Sequence, residues 1–355
     1  MAKIFLIIKF PYVVFKLVFN KKILKKTMSK SGISLEKRPW VEKYRPRMLD
    51  DIVNQKGILK RLKQFIKDKS MPHLIFAGPA GTGKTTSGLA MVRELYGRKM
   101  ASNITYLELN ASDARGIDVI RTYIKDFAKA RPPVDIPFKI LILDEADNMT
   151  APAQQALRRT MEKYTKNCRM ILICNYSNKI IPPIQSRCVV FRFSSLTNDD
   201  IKERLKFISN QEKINVITSG LNALVDVSRG DCRRAINYLQ SCGTISKKID
   251  EEIVFRVAGE VPPDKVKKIL QTALEGQLQL SIKLLNDLIK DYGLSGRNII
   301  KNLHREVYDL NKSEDIKIEL SKLLAEFEYR LSQGSTEQIQ LQALLAKIVM
   351  LQEFK

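Results

Sequence analysis

The stretch Gly78-Pro79-Ala80-Gly81-Thr82-Gly83-Lys84-Thr85 decides how the rest of the chain is interpreted. It follows a short apolar run at 73–77 and precedes a helix-like segment at 86–96. A strand, a glycine-rich turn, a Lys-Thr pair and a helix in this order predict a phosphate-binding loop, because glycines let backbone N–H groups face phosphate oxygens. In such a loop Lys84 reaches the β- and γ-phosphates and the Thr85 hydroxyl binds Mg²⁺. The sequence therefore predicts nucleotide binding by this loop.

The chain is strongly basic. Its 355 residues include 61 Lys and Arg against 38 Asp and Glu, a formal net charge of +23. This excess favours a polyanionic partner, most often nucleic acid, although a solvated basic surface gives the same composition. The length predicts roughly two or three domains. The 5 cysteines form no C-x-x-C pair and only 2 histidines occur, so we expect reduced thiols in an intracellular protein without a zinc site.

Residues 1–37 differ from the rest of the sequence. The first 27 residues contain seven lysines and no acid, and Lys9, Pro11 and Lys16 interrupt their apolar stretches. No run reaches the roughly 20 apolar residues of a membrane helix, and no small-residue cleavage site of a signal peptide follows. A basic tail that contacts a membrane surface or DNA is one interpretation. We favour a mis-assigned start, with Met28 as the natural first residue, or a partly disordered extension.

Apolar runs and helical patterns alternate between residues 38 and 196. Besides the run before the phosphate loop, strands are predicted at 105–109, 138–143, 169–174 and 189–193. Helices are predicted at 55–67, 86–96, 117–129 and 153–164. This alternation is typical of a doubly wound α/β domain with a parallel sheet, which binds its ligand at the carboxyl ends of the strands.

Beyond residue 196 the patterns are helical. Segments at about 198–212, 218–228, 231–242 and 250–257 predict a small all-α domain over 197–260. After a linker at 259–263, longer amphipathic segments at about 264–274, 278–291, 294–309, 313–332 and 336–353 predict a second all-α domain over 261–355.

Polar residues follow two of the predicted buried strands. Asp144 and Glu145 end the run at 140–143, where Asp144 can hold Mg²⁺ through its water shell and Glu145 can polarise an attacking water. A pair of helix-capping acids is the alternative. Asn175 ends the next strand and can hold the lytic water without adding negative charge; a turn asparagine is the alternative there. Together with the loop, these residues predict ATP hydrolysis.

Two arginines are candidates for neutralising phosphate charge. Arg187 immediately precedes the last predicted strand, and Arg233 begins a helix of the first all-α domain. An arginine from a neighbouring subunit can stabilise the charge that develops on a transferred phosphoryl group. The spacing does not say which arginine acts within its own chain, and a surface position is the default for this residue type.

The chain resembles the replication factor C small subunits, sliding-clamp loaders of the AAA+ class, in particular those of archaeal type. The resemblance runs from about residue 38 to the C-terminus. It rests on matching stretches at 40–46, 78–85, 109–113, 115–118, 143–147, 156–162, 184–188 and 230–233. Ser-Arg-Cys at 186–188 is the stretch most specific to this family. Ala80, where the family usually has proline, is a departure that should preserve the loop.

The resemblance implies an AAA+ domain over 38–196, a helical lid over 197–260 and a helical collar over 261–355 that holds the subunits together. ATP and Mg²⁺ would bind at subunit interfaces. Arg187 would be the finger that completes the neighbour's site, and Arg233 would sense nucleotide from the lid of its own subunit. Val41 and Arg45 fall where the family lines the adenine pocket.

The resemblance also implies DNA binding and a set of partners. Arg115, Arg121 and Lys125 lie on the turn and helix that face the central DNA channel in this family. Expected partners are the replication factor C large subunit, other copies of the small subunit, the sliding clamp PCNA and primer–template DNA, with no membrane. The cytoplasm of an archaeon, near its nucleoid, is the expected location, or the nucleus if the chain is eukaryotic.

Two other functions fit the nucleotide motifs. A ring DNA helicase or branch-migration motor shares the α/β-plus-lid layout, but it needs a C-terminal winged helix, which the long helices after residue 263 do not favour. A non-hydrolysing scaffold subunit would bind ATP without turnover. The presence of Lys84, Asp144, Glu145 and Arg187 weighs against a scaffold.

Overall fold

A five-stranded sheet carries the phosphate loop in the computed structural model, which describes residues 38–112 and 120–351. Its strands are β1 (His73–Ala77), β2 (Tyr106–Asn110), β3 (Lys139–Asp144), β4 (Cys168–Cys174) and β5 (Cys188–Arg192). They lie in the order β2-β3-β4-β1-β5, and all neighbouring strands are parallel. The predicted α/β fold with a parallel sheet is therefore confirmed.

The chain divides into two compact units, Met1–Arg45 and Pro46–Lys355. In the described part of the first unit, helix α1 (Trp40–Lys43) is followed by Arg45, whose Nη1 pairs with a Glu42 carboxylate oxygen at 3.3 Å. The elements that follow, like the sheet, belong to the second unit.

Helices pack on both faces of the sheet. They are α2 (Lys56–Lys67), α3 (Lys84–Tyr96), α4 (Lys125–Lys129, directly after a π-helical turn at Ile120–Ile124), α5 (Ala151–Tyr164) and α6 (Pro182–Gln185). Because successive side chains of a strand point to opposite faces, Phe76 of β1 packs in one buried cluster with Leu62 and Met91, while Ile75 packs in the other with Leu157. Burial on both faces explains the continuous apolar runs of these strands.

The segment expected to form the lid, 197–260, contains α7 (Asn198–Gln211), α8 (Thr218–Ser228), α9 (Cys232–Ile245) and α10 (Glu251–Ala258), and we call it the lid below. Three of these helices begin with an N-cap residue whose side chain accepts hydrogen bonds from backbone N–H groups of the first turn. These residues are Thr197 for α7, Asp231 for α9 and Asp250 for α10. The lid also has a feature that the sequence pattern did not show, a parallel pairing of β6 (Asn215–Val216) with β7 (Lys248–Ile249). Strands of two residues are too short to produce a detectable alternation.

The segment expected to form the collar, 261–355, contains α11 (Pro263–Leu274), α12 (Leu278–Tyr292), α13 (Gly296–Val307), α14 (Glu314–Ser332) and α15 (Glu337–Met350), and we call it the collar below. Glu337 ties two of these helices together, because its Oε2 accepts a hydrogen bond of 2.8 Å from the Gly296 backbone N–H at the start of α13. A carboxylate at a helix N-terminus is favourable to the helix dipole. Of the helices that the structure describes, none combines the length and apolar character needed to cross a bilayer.

The base of the phosphate loop depends on the buried aromatic ring of Phe191 in β5. The ring packs edge-on against Phe76, with centroids 5.9 Å apart, and Arg61 lies over it at 4.7 Å. Pairing of β5 with β1 continues past the strand end, where the Phe193 N–H donates to the Ala77 carbonyl at 2.7 Å. Loss of this ring would therefore loosen the strand from which the loop departs.

We expect Phe191→Ala to lower the free energy of unfolding of the α/β domain by about 3–5 kcal/mol, because truncation of a buried aromatic leaves a cavity. Denaturant titration, followed by a probe in this domain, measures the change. Val134→Ala is the control, since Val134 is fully exposed, and it should stay within about 0.5 kcal/mol of the parent. Equal effects of the two substitutions would contradict this account of the core.

Candidate nucleotide-binding and hydrolysis site

The strand order brings the predicted site residues together. β1 lies between β4 and β5, and β3 lies on the far side of β4. The loop after β1, Asn175 after β4 and Asp144 at the end of β3 therefore share one edge of the sheet, at the carboxyl ends of the strands.

The Lys84 ammonium is enclosed by the phosphate loop. Its Nζ donates to the carbonyls of Gly78 and Pro79, both at 2.7 Å, and to Asn175 Oδ1 at 3.2 Å. Burial lowers the pKa of Lys84, and the nearby Asp144 carboxylate opposes that shift. A cation that is held this way by neutral oxygens fits a site for phosphate oxygens, which would supply the negative charge that the carbonyls lack.

Glycine is required at two positions of the loop. Gly78 has φ of +151°, and a Cβ there would lie 2.2 Å from the Phe193 carbonyl oxygen. Gly81 has φ of +71°, and a Cβ there would lie 1.9 Å from Asp231 Oδ1 in the lid. From the sequence, these glycines are explained by the close approach of phosphate to the backbone. The structure adds that Phe193, directly after β5, and Asp231 of the lid pack against the loop.

Thr85 and Asp144 form a pair of oxygen ligands suited to Mg²⁺. Thr85 Oγ1 donates to Asp144 Oδ2 at 2.7 Å, and Asp144 Oδ1 accepts from the Glu145 backbone N–H at 2.9 Å. Mg²⁺ is commonly bound by one or two such protein oxygens together with phosphates and water. The residues present therefore fit this ion.

Glu145 is held by two side chains that the sequence analysis did not assign. Its backbone is left-handed, with φ of +54°, which is uncommon for a residue other than glycine. Its Oε2 accepts hydrogen bonds from Ser112 Oγ and from Asn148 Nδ2, the latter at 3.2 Å. Ser112 follows β2, the strand beside β3, so only the strand order reveals the contact.

Asp147 fixes the turn that carries Asn175. Asp147 Oδ2 accepts from the backbone N–H groups of Asn175 and Tyr176, each at 3.2 Å. The amide side chain of Asn175 is thereby directed toward Lys84. Asp147 belonged to a matched stretch of the sequence, but nothing in that stretch indicated this role.

The lid places the start of α9 against the phosphate loop of the same chain. Asp231 Oδ1, which lies against Gly81, accepts from the backbone N–H groups of Arg233 and Arg234 at 2.9 and 3.1 Å. Burial is the main cause of the lowered pKa of Lys84, and the Arg233 charge adds a smaller contribution in the same direction. These contacts place the start of α9, which carries Arg233, beside the phosphate loop of the same chain.

Arg187 has different neighbours. Its Nη2 pairs with Glu162 Oε1 at 2.7 Å, and its Nη1 donates to the Pro183 carbonyl at 2.6 Å and to Ser186 Oγ at 3.3 Å. Arg158 shares the same Glu162 oxygen at 3.4 Å. Within the described residues, none of the recorded partners of Arg187 belongs to the phosphate loop.

The remaining predicted site residues are Val41, Arg45, Arg115, Arg121 and Lys125. Val41 and Arg45 belong to the first unit. Arg115 lies outside the described residues, and Arg121 belongs to the π-helical turn before α4. Lys125 is exposed and lines a groove beside α5, whose other lining residues are Pro152, Gln155, Ala156, Arg159, Thr160, Lys163 and Tyr164.

The sheet order, the loop and the residues around it define an AAA ATPase. Residues 74–196 match the model of the ATPase family associated with various cellular activities, and residues 261–347 match that of the replication factor C C-terminal domain. The solved structure of the RuvB Holliday junction branch migration motor of Thermotoga maritima superposes with a TM-score of 0.50 and 18% identity, covering 71% of this chain and 86% of that one. This likeness shows the fold alone.

Curated relatives give the narrower assignment. The replication factor C small subunit of Methanococcus vannielii is 50% identical over 315 residues, which cover 89% of this chain and 99% of the relative. That of Thermofilum pendens is 52% identical over 314 residues, which cover 88% and 96%. The chain belongs to the replication factor C small-subunit family. It is an ATPase with the clamp-loader function of that family, and it acts within a multi-subunit complex.

Gly81→Ala should weaken nucleotide binding by about tenfold or more, because the added Cβ combines backbone strain with a collision against Asp231. Titration of the purified chain with a fluorescent ATP analogue measures the affinity.

Gly97→Ala is the matched control. Gly97 also has positive φ, +52°, but no atom lies within 4 Å of the Cβ position, so the substitution adds strain without a collision. Its nucleotide affinity should stay within about twofold of the parent. Equal losses in both variants would contradict a role for the lid contact.

Proposed function

We propose that this chain uses ATP binding and hydrolysis to open the sliding clamp PCNA and to load it on primer–template DNA, with each hydrolytic site completed by a neighbouring subunit. The observation that carries the proposal is the separation of two halves of a site. Lys84, Asp144 and Asn175 converge at one sheet edge, whereas Arg187 is paired with Glu162 elsewhere on the surface.

The proposed roles at the sheet edge follow from the contacts there. ATP would place its phosphates within the loop formed by residues 78–85, with Lys84 neutralising the β- and γ-phosphates. Thr85 and Asp144 would hold Mg²⁺, which would neutralise charge on the phosphate oxygens. Asn175 would position the attacking water.

Glu145 would act as the general base for the attacking water. To do so, its carboxylate must exchange the Ser112 hydroxyl for the water. Ser112 and Asn148 therefore become residues on which the hydrolysis rate depends, although neither would contact the nucleotide.

Arg187 would act in trans as the arginine finger. An arginine supplied by a neighbour neutralises charge that develops as the phosphoryl group transfers, and its arrival makes assembly a condition of hydrolysis. Arg233 would contact the phosphates in cis, a role supported by the position of the start of α9 against Gly81 and by the effect of the Arg233 charge on the pKa of Lys84. Val41 and Arg45 would line the adenine pocket, as the family resemblance implies.

The proposed division of the chain is an AAA+ domain over 38–196, a lid over 197–260 and a collar over 261–355. The collar would bind other copies of the small subunit and the replication factor C large subunit. The match of residues 261–347 to the replication factor C C-terminal domain favours this arrangement over the ring-helicase alternative. We place the complex in the archaeal cytoplasm with the nucleoid, or in the nucleus of a eukaryote.

The proposed DNA contacts are Arg115, Arg121 and Lys125. Support comes from the groove beside α5, in which Lys125 lies with two further cations, Arg159 and Lys163, and no carboxylate among the lining residues. Such a surface contacts phosphates and reads duplex shape without reading its sequence.

Lys84→Ala should abolish nucleotide binding, whereas Arg187→Ala should leave binding intact and slow hydrolysis by at least about a hundredfold. The measurement is phosphate release by the complex with large subunit, clamp and primed DNA. The parent complex should be stimulated by both clamp and DNA.

Co-assembly of the two variants tests whether the finger acts in trans. A Lys84→Ala copy still supplies Arg187 to an Arg187→Ala neighbour, so an equal mixture should regain about a quarter of the active interfaces. A mixture without activity would place the finger in cis. Arg256→Ala, which removes an arginine paired with Glu252 on α10, is the control and should hydrolyse ATP normally.

Lys125→Ala should weaken DNA binding equally for different primer–template sequences and lower the slope of log affinity against log salt by about 1. Fluorescence anisotropy of labelled DNA with the full complex measures both. Lys99→Ala is the control, because the Lys99 ammonium pairs with Asp135 at 2.9 Å. A change in the slope for Lys99→Ala, or none for Lys125→Ala, would contradict the assignment.

A further inference from the structure

Three arginines converge on the Glu260 carboxylate, between the lid and the collar. Arg229 Nη2 donates to Glu260 Oε1 at 2.9 Å, Arg234 Nη2 lies 3.6 Å from the same oxygen, and Arg305 Nη1 lies 3.6 Å from Oε2. The Glu260 side chain is only 13% exposed. Isolated surface ion pairs contribute little, but several charges on one largely buried carboxylate form a network in which each partner restrains the others.

The backbone holds Glu260 in place. Helix α10 ends at Ala258 and is followed by Gly259, which has φ of +62°. The Gly259 N–H donates to the Arg256 carbonyl at 3.3 Å and the Glu260 N–H donates to the Phe255 carbonyl at 3.1 Å, the bonding pattern of a Schellman motif. Val261, the next residue, is buried. The carboxylate is therefore presented from a defined position.

Two of the arginines lie at the ends of the lid turn, residues 229–234, which faces the phosphate loop. Arg229 is the first residue of this turn, directly after α8, and Arg234 is its last, within the first turn of α9. Between them lie Asp231, which packs against Gly81, and Arg233, whose charge acts on Lys84. A single carboxylate thus restrains both ends of the segment that approaches the nucleotide.

The third arginine belongs to the collar. Arg305 lies on α13, so the carboxylate that holds the lid turn also binds the domain proposed to join the subunits. We infer that Glu260 is a positioning residue that fixes the 229–234 turn over the phosphate loop and links its placement to the collar. The inference rests on the proposed function, because it assigns the contact with nucleotide to Arg233.

Glu260→Gln should lower the affinity of the chain for ATP about fivefold. The neutral amide keeps the size of the side chain but leaves three arginines without their shared counter-charge, and their repulsion would displace the turn. Titration with a fluorescent ATP analogue gives the affinity, and steady-state hydrolysis by the full complex gives kcat and KM. An unchanged affinity would overturn the inference.

The same substitution in an Arg233→Ala background separates positioning from general destabilisation. If Glu260 acts through the turn, Glu260→Gln should cause no further loss once Arg233 is absent. An undiminished fivefold loss in that background would show a structural role alone and would overturn the inference. Should Arg233→Ala itself leave ATP affinity unchanged, the proposed role of Arg233 fails, and the inference fails with it.

Arg305→Gln tests the link to the collar without removing the carboxylate. It should leave the affinity of the isolated chain unchanged, because Arg229 and Arg234 still bind Glu260, but it should lower kcat of the full complex about threefold. No effect in the complex would overturn the link to the collar.

The matched control is Glu252→Gln, which removes a carboxylate of the same helix, α10, whose partner is Arg256 at 3.2 Å. It should change neither ATP affinity nor kcat.

Glu260→Asp keeps the charge and serves as the second variant if Glu260→Gln fails to fold. The ATP affinity of Glu260→Asp should lie between those of the parent and Arg233→Ala. An affinity equal to that of the parent would count against the positioning role.

Discussion

The enclosed ammonium of Lys84 is the interaction on which the rest of the nucleotide site depends. Its three acceptors come from the loop after β1 and from the end of β4, so it joins two neighbouring strands at their carboxyl edge. Since β3 lies beside β4, the same edge receives Asp144, which binds Thr85. A parallel sheet with this strand order is therefore a requirement of the chemistry as well as of the fold.

The lid is part of this site in the structure of the single chain. Asp231 serves as the N-cap of α9 and also packs against Gly81, so the local bond that starts a helix also sets the approach of the lid to the loop. Glu260 then connects the flanks of that turn to α13 of the collar. The lid turn beside the phosphate loop is thus linked to α13 through a short chain of charged side chains, each with an identified partner.

Arg187, in contrast to Asp231, has its partners away from the phosphate loop. Its ion pair with Glu162 and its bond to the Pro183 carbonyl keep it on a separate part of the surface, with a defined orientation. This separation is the basis of the proposal that Arg187 completes the site of a neighbouring copy, in which case hydrolysis would require assembly. The energetic reason is that charge developing on the phosphoryl group needs a further cation, and the chain does not place Arg187 at its own loop.

The sequence alone determined the class of fold, the phosphate loop, the strand-end residues Asp144, Glu145 and Asn175, and the family. These features are local: apolar runs, glycines and strand-terminal polar residues are readable wherever the chemistry is contiguous in the chain. The tertiary structure decided which strands are neighbours, and hence that Ser112 holds Glu145 and that Asp231 packs on Gly81. It also decided that three arginines from the lid and the collar share Glu260. Contacts between residues far apart in sequence depend on the packing of whole elements, and a single sequence carries no local pattern that specifies them.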